Sequence, residues 1–487
     1  MRYISTRGAG AVSDARAVLL GLAPDGGLYV PAEFPEIDVR ECLEQDFCGM
    51  AARLLGAFFP SLGDMKELAQ KAYAGRFPAG DPTPLKKAGG LWSLELYHGP
   101  TCAFKDVALS VLPRLIPAAV RAEGCGDEIV ILTATSGDTG KAALEGFRGV
   151  EGTRILVFYP AEGVSAVQKA QMATQEGSNV RVCAVEGNFD DCQRSVKEAF
   201  ARFTGEELPR GVRLSSANSI NIGRLVPQIT YYFYAYAALL RQGAVAMGDP
   251  VDFTVPTGNF GDILAGWYAR RLGLPVGKLV CASNDNRVLT DFFETGVYDR
   301  RRPFLLTHSP SMDILVSSNL ERLLYHLCGD STRVAELMRS LNEEGSYALP
   351  EALRPALAAD FAAGSCDDAA ALETIGRYWK DCGYLCDPHT AVALKVAEEY
   401  RRGAGDGRPM VVLSTASPFK FPAAVLQALG QSPEGEELRL AEKLAGVTGQ
   451  PVPPPLAGLE SRPVRHRDRV ERTRLIEYTK DFLEDKS

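Results

Sequence analysis

The run Glu128–Phe147, EIVILTA followed by TSGDTG and KAALEGF, decides the fold class of this 487-residue chain. Its first seven residues are Glu, Ile, Val, Ile, Leu, Thr and Ala, with almost no polar alternation after the first, which predicts a strand buried on both faces. A small polar loop, Thr135–Gly140, comes next, and a helical pattern runs from Lys141 to Phe147. The same strand–loop–helix sentence recurs along the chain. Arg154–Tyr159 and Val180–Val185 read as further buried strands, and 190–203 reads as a helix. Val251–Val255, Lys278–Ala282 and Met410–Leu413 repeat the theme. Buried strands separated by helices predict parallel βαβ units and an α/β fold.

The flanking regions read differently. In the first 85 residues, Pro24–Pro31 (PDGGLYVP) predicts a tight turn feeding a short strand, and Pro78–Pro84 (PAGDPTP) predicts a domain boundary. Residues 300–385 are helical in pattern with charged faces, and read as an insertion or covering layer without evident chemistry. The Pro-rich Gln450–Pro455 introduces a charged end with a terminal surface helix. Lys and Arg number 53 against 61 Asp and Glu, a net charge of −8 that disfavours nucleic acid as a partner. No stretch approaches the roughly 18 apolar residues of a membrane span, and the N-terminus lacks the apolar core of a signal peptide. Eleven cysteines, an odd number spread thinly, fit a reduced, cytoplasmic chain better than a disulfide framework. Cys382 and Cys386, with His389 beyond, lack the second pair that a zinc site needs, so no metal is expected; bound metal or a reversible disulfide would mark the alternative.

In open α/β sheets ligands sit where strands end and helices begin, and four loops stand out there. Pro256–Asp262 (PTGNFGD) has two glycines that let backbone N–H groups approach an anion at a helix start. Alone, it suits a phosphate cradle or a plain turn capped by Asp262. Thr135–Gly140 carries hydroxyls and exposed N–H groups suited to a carboxylate or phosphate, or to simple capping. It matches neither nucleotide-binding glycine pattern. In Glu95–Asp106 (ELYHGPTCAFKD), Lys105 sits among apolar and small residues after a Gly-Pro turn. It reads as a lysine of lowered pKa and a candidate nucleophile, or as a surface lysine paired with Asp106. Ser216–Arg224 (SANSINIGR) offers amides, hydroxyls and an arginine, an anion clamp or a polar loop capped by Asn.

Together these loops resemble the threonine synthase family of pyridoxal-phosphate (PLP) enzymes. The resemblance begins with Tyr3–Gly8 and Gly21–Pro31 and runs through His98–Thr101, Phe104–Asp106, Ser136–Gly140, Asn218–Arg224 and Gly258–Asp262. It ends with Asp387–Ala391 and Ser414–Phe421. It implies a fold-type II PLP enzyme with two parallel-sheet α/β lobes around a cofactor cleft plus an N-terminal domain. The domains would be 1–85, a catalytic core over 86–430 with a small lobe near 107–225, and a surface segment over 431–487.

By position the resemblance makes Lys105 the lysine that bonds PLP covalently, with Phe104 packing near the cofactor. Gly258, Asn259, Phe260, Gly261 and Asp262 would hold the cofactor phosphate, and Thr415 would meet the pyridine nitrogen. On an extended strand Ser414 faces the other way, so only one of the two can serve. Ser136, Gly137, Asp138 and Thr139 would grip the substrate carboxylate, and Asn218, Ser219 and Arg224 the substrate phosphate. The implied activity is that of a carbon–oxygen lyase acting on phosphates. It would convert O-phospho-L-homoserine and water to L-threonine and phosphate, the last step of threonine biosynthesis, in a monomer or homodimer. Two departures are visible: Ser417 stands where many members carry His, and Asp262 where Asn is also common. His98 reads as a proton carrier or a structural hydrogen-bonding group. A lyase releasing 2-oxobutyrate would use the same loops, and a non-catalytic binding protein would be expected to lack Lys105.

Overall fold

The computed structural model describes residues 1–485 apart from 136, 163, 188, 204–207 and 406. The strand predicted at Glu128–Ala134 forms over those residues, six of its seven buried. It lies inside a five-stranded sheet, between Thr153–Pro160 and Val212–Ser215. Val180–Glu186 and the C-terminal strand Asp468–Glu471 complete the order, and every pairing is parallel. The chain's end therefore extends this lobe's sheet, and the helix Leu475–Glu484 packs on it through Leu475, Phe482 and Leu483. The terminal helix is expected from the sequence; the edge strand before it is not. Four residues of mixed polarity on a sheet edge carry no hydrophobic run to announce a strand.

The larger lobe holds a six-stranded sheet in the order Phe361–Ser365, Val276–Ser283, Val251–Pro256, Met410–Ser414, Leu91–Glu95, Leu85–Ala88. All neighbours are parallel except the last pair, a hairpin at the edge. The central strands are wholly buried, as helix-covered parallel sheets require. Helices Gly261–Arg271 and Ile229–Arg241 press an aromatic-rich layer on the sheet, with Tyr232 edge-on to Phe253. At the N-terminus Arg2–Ser5 pairs antiparallel with Val12–Ser13 and Tyr29–Pro31, the short strand read after the Pro24 turn. Tyr3 is buried there and donates its hydroxyl to the carbonyl of Phe58 on helix Phe47–Phe58.

The topology has one consequence for chemistry. Loops 96–105, 135–137, 216–221, 257–260 and 415–417 each leave the C-terminal end of a parallel strand, where such sheets receive ligands.

Candidate active site

Lys105 opens the short helix Lys105–Leu109, immediately after Phe104, and its side chain is 12% exposed. Asp106 does not pair with it. That carboxylate turns back to accept the N–H of Thr101 at 2.8 Å and its hydroxyl at 2.6 Å, so it shapes the turn before the lysine. The ammonium of Lys105 lies 4.6 Å from the Phe104 ring centroid and 3.9 Å from Asp138 Oδ2. Burial lowers its pKa, helped by the positive charges of Arg224 and Lys420 and opposed by Asp138 and Asp262. The outcome is an amine that gives up its proton more readily than a surface lysine.

Asp138 begins helix Asp138–Phe147, where a carboxylate suits the helix dipole. It is buried, accepts Gln168 Nε2 at 2.8 Å and pairs with Lys420 Nζ at 2.6 Å. Burial alone would raise its pKa; Lys420, Lys105 and the Gln168 hydrogen bond outweigh that and hold it well below the carboxylate range. Lys420 is 0% exposed and also donates to the carbonyl of Thr101 at 3.0 Å. The loop before Asp138 is built around Thr135, whose hydroxyl accepts the N–H groups of Gly137 and Gly140. Gly137 adopts φ 141°, and a Cβ there would lie 2.4 Å from Gln168 Cδ, so no other residue fits. Thr139 is half-buried. Ser136 lies outside the described residues.

The loop 257–262 is tightly supported from 309–319, the region read from sequence as a covering layer. A Cβ on Gly258 would meet the carbonyl oxygen of Ser311 at 2.7 Å. Ser317 Oγ donates to the Gly258 carbonyl at 2.7 Å, and Asn319 gives both its backbone N–H and Nδ2 to the Asn259 carbonyl at 3.0 Å. Phe260 takes a left-handed conformation, φ 64°, with its ring buried against Phe293 and Phe361. A strained non-glycine residue of this kind persists only where packing fixes it, and it turns Asn259 outward and starts helix Gly261–Arg271. Asp262 is buried, and its Oδ1 accepts the N–H of Ile263. Burial raises its pKa to about 6, opposed by that N–H and by Lys105.

Arg224, whose charge acts on Lys105, is 3% exposed. Its Nη1 donates to the Ala217 carbonyl at 2.6 Å, while Nε has no partner. Among the described residues no carboxylate pairs with it. Burial lowers its pKa to about 10, with Tyr231 opposing, so the group stays charged at neutral pH. Asn218 and Ser219 are half-buried beside it. Asn221 is structural: its amide donates to the carbonyls of Val18 and Ser216 and accepts the Gly223 N–H.

Thr415 follows the strand Met410–Ser414 and is buried; its carbonyl accepts the Phe104 N–H at 2.8 Å, and its hydroxyl has no partner among the described residues. Ser414 Oγ faces elsewhere, 2.9 Å from Thr390 Oγ1. His389 is locked between Asp387 Oδ2 at 2.5 Å and the Ser311 N–H at 3.1 Å, so Nδ1 carries its proton. Ser417 caps the turn Pro418–Lys420 by accepting the Phe419 N–H. His98 Nε2 is 2.7 Å from Glu95 Oε2, which also pairs with Lys86.

A family model described as pyridoxal-phosphate dependent enzyme matches residues 77–416. Models for the threonine synthase N terminus and the threonine synthase C-terminal region match 2–73 and 390–478. The chain belongs to the threonine synthase family. A threonine synthase from Pseudomonas aeruginosa is 42% identical over 448 residues, covering 89% of this chain and 92% of that protein. Human threonine synthase-like 1 is 40% identical over 443 residues, covering 85% of this chain and 58% of that longer protein. Among solved structures, a PLP-bound threonine synthase from Brucella melitensis has a TM-score of 0.87 at 38% identity, with 100% of both chains covered. The yeast threonine synthase has 0.86 at 32% identity, covering 99% of this chain and 98% of that one. The cofactor of this threonine synthase family chain is PLP.

The residues present suit that cofactor. A phosphorylated aldehyde calls for a buried amine of lowered pKa, which Lys105 supplies. It also calls for a phosphate cradle of backbone N–H groups at a helix start, and Gly258 lies in such a turn with no room for a Cβ. The orphaned Arg224 Nε is a donor awaiting an acceptor. Sequence reasoning missed Lys420, Asn319 and Arg322. For Lys420 a signal existed: PFKF encloses it in apolar residues as AFK does Lys105. Nothing local marks Asn319 or Arg322. Cys382 is exposed and Cys386 buried, and among the described residues no three His, Cys, Asp or Glu side chains gather to hold a metal. No helix among those residues is long and apolar enough to cross a membrane.

Proposed function

We propose that the chain converts O-phospho-L-homoserine and water to L-threonine and phosphate, with PLP bonded to Lys105. The Gly258–Asp262 loop then receives the cofactor phosphate through its backbone N–H groups, Phe104 flanks the cofactor, and the Thr415 hydroxyl meets the ring nitrogen. Gly137, Asp138 and Thr139, with Ser136 between Thr135 and Gly137 in the chain, take the substrate carboxylate. Asn218, Ser219 and Arg224 take the substrate phosphate. The observation that carries this reading is Arg224: a buried guanidinium with an unsatisfied Nε and no carboxylate partner among the described residues, on a segment separate from the cofactor-phosphate loop, which fits a second anion site.

PLP when bound supplies an electron sink that acidifies the substrate's Cα and Cβ protons. The chain's own residues do the rest. Lys105 would hold PLP; its Nζ lies beside Asp138 and the Phe104 ring, and its lowered pKa suits it to taking and returning protons at the substrate's carbons. Lys420 neutralises Asp138, so a substrate carboxylate does not meet a bare negative charge in loop 135–140. Arg224 and the neighbouring amides hold the departing phosphate by charge-assisted hydrogen bonds that strengthen as charge builds on it. In balance, the Cγ–O bond to phosphate breaks, Cγ gains a proton in exchange for the one lost at Cβ, the Cα proton returns, and water gives its hydroxyl to Cβ and its remaining proton to the phosphate.

The test is incubation of PLP-loaded enzyme with O-phospho-L-homoserine and chromatographic separation of products. Threonine and phosphate in equal amounts are expected; a yield dominated by 2-oxobutyrate would overturn the hydration step. We read the chain as a cytoplasmic enzyme acting on a small-molecule substrate, and gel filtration distinguishes the monomer from the homodimer.

A further inference from the structure

The largest fully buried side chain outside the loops named above is Arg322, on helix Leu320–Cys328. Its guanidinium reaches three separated parts of the chain. Nε donates to the carbonyl of Tyr29 in the N-terminal sheet at 3.0 Å. Nη1 donates to Asn319 Oδ1, and Nη2 donates to the carbonyl of Ile220 at 2.5 Å. Both of the last two lead to an anion loop. Asn319 passes the contact to the Asn259 carbonyl through two N–H donors. Ile220 lies inside Ser216–Arg224, between Ser219 and Asn221. The acceptors are carbonyl and amide oxygens, and no carboxylate pairs with the charge among the described residues. Burial lowers its pKa to about 10, opposed by Tyr268, Glu321 and Tyr3, which leaves it charged at neutral pH.

A cation in a closed interior is costly to desolvate, and its hydrogen bonds can fix the relative positions of the groups it joins. A planar fork with donors in set directions can hold several acceptors at fixed relative positions; an ammonium cannot. We propose that Arg322 is a positioning residue that sets the spacing between the cofactor-phosphate loop and the substrate-phosphate loop, so that one side chain tunes both affinities. The assignment of the two loops rests on the proposed function above. Asn319 is the arm toward the cofactor, and the Nη2–Ile220 bond is the arm toward the substrate.

The experiment uses full-length Arg322→Lys and Asn319→Asp beside the parent. Thermal unfolding establishes the temperature range in which each is folded. The dissociation constant of PLP is read by titrating cofactor into apoprotein and following the visible band of the bound form. KM for O-phospho-L-homoserine is read on the holoenzyme at saturating PLP, from total phosphate released. Arg322→Lys keeps the charge and loses the fork. Each broken arm removes a charge-assisted bond, so both PLP dissociation constant and KM rise about tenfold, with kcat changed less. Asn319→Asp keeps an oxygen that faces Arg322 and loses the side-chain donor to Asn259 while the backbone N–H remains, so the PLP constant rises, by less than in Arg322→Lys, and KM does not.

Unchanged PLP constant and KM in a less stable Arg322→Lys protein would show a purely structural arginine and overturn the proposal. So would a change in only one of the two, or a rise of both in Asn319→Asp. Should Arg322→Lys not fold, the Asn319→Asp split decides alone. PLP binding is read without substrate and phosphate release without regard to the carbon product, so a 2-oxobutyrate-forming enzyme would sink the hydration step and leave this test standing.

Discussion

Replacing Arg224 by Met separates what the guanidinium does for the ligand from what it does to the fold. In the protein without ligands the group is buried, its Nε is unsatisfied, and its one hydrogen bond goes to the Ala217 carbonyl. Burial brings its pKa down to about 10. At about 1.4 kcal/mol per pKa unit this disfavours the charged form by roughly 3 kcal/mol. The lost hydrogen bond returns about 1 kcal/mol of that. Met fills similar volume without a polar atom, so the ligand-free variant should be more stable than the parent by about 1–2 kcal/mol.

With ligand the sign reverses. Inorganic phosphate at about a hundred times its dissociation constant stabilises the parent by about 2.7 kcal/mol, and Arg224→Met should lose the part due to this site. KM for the phosphorylated substrate should rise about 10- to 100-fold, from a charge-assisted contact of about 1.5–3 kcal/mol. Urea unfolding of the ligand-free proteins, repeated with phosphate, reads both effects. A ligand-free variant less stable than the parent, or one stabilised by phosphate to the same extent, would refute the idea that Arg224 is held in readiness for an anion.

Lys105→Ala should bind no PLP covalently, losing the visible band, with kcat down by about 10³-fold or more; steady-state rates on reconstituted protein check this. Gly258→Ala places a Cβ 2.7 Å from the Ser311 carbonyl oxygen, which is backbone and cannot swing aside. The resulting strain of about 1–3 kcal/mol should weaken PLP binding about tenfold or more in a cofactor titration. Asp262, whose pKa is raised to about 6 by burial, holds a proton in the folded apoprotein across a range where the unfolded chain has lost it. Its contribution to stability is therefore full below about pH 4 and is lost as pH rises through 6, a fall of about 3 kcal/mol. Denaturant midpoints of Asp262→Asn should lack this part of the pH dependence; identical pH profiles would contradict the protonated Asp262.

How far the sequence could be read depended on where each residue's signal lies. Glu128–Ala134, Val251–Pro256 and Met410–Ser414 are central parallel strands, covered on both faces, so burial writes them as unbroken apolar runs. Their boundaries fall within one residue of those expected. Edge strands such as Phe361–Ser365 and Asp468–Glu471 need only a partner's backbone, and their FAAGS and DRVE leave no pattern. In the site, Lys105, Gly258 and Arg224 sit in short segments whose residue types already suit amine and anion chemistry. Arg322 is invisible because burial of a charge is a property of the assembled lobes, not of its neighbours in the chain, whereas the apolar neighbours of Lys420 do leave a signal in the sequence. Residues 309–322 read as cover for the same reason: Ser317 and Asn319 act on backbone carbonyls of another segment, and Ser311 acts through its own backbone N–H on His389.

The bond between Arg322 and Tyr29 joins residues 293 positions apart, and Thr6 reaches Glu321 across 315. At about 5–20 residues per second of synthesis, the strand Tyr29–Pro31 is made about 15–60 s before the arginine that holds it exists. Until then the N-terminal sheet has no buried cation to close it, and the nascent chain carries an unfinished surface that chaperones and proteases can sample. Loops closed over such distances also form late, since their ordering entropy comes before their reward. Completion of the ligand cleft is thus a late event in the life of each molecule, timed by translation rather than by local helix and strand formation.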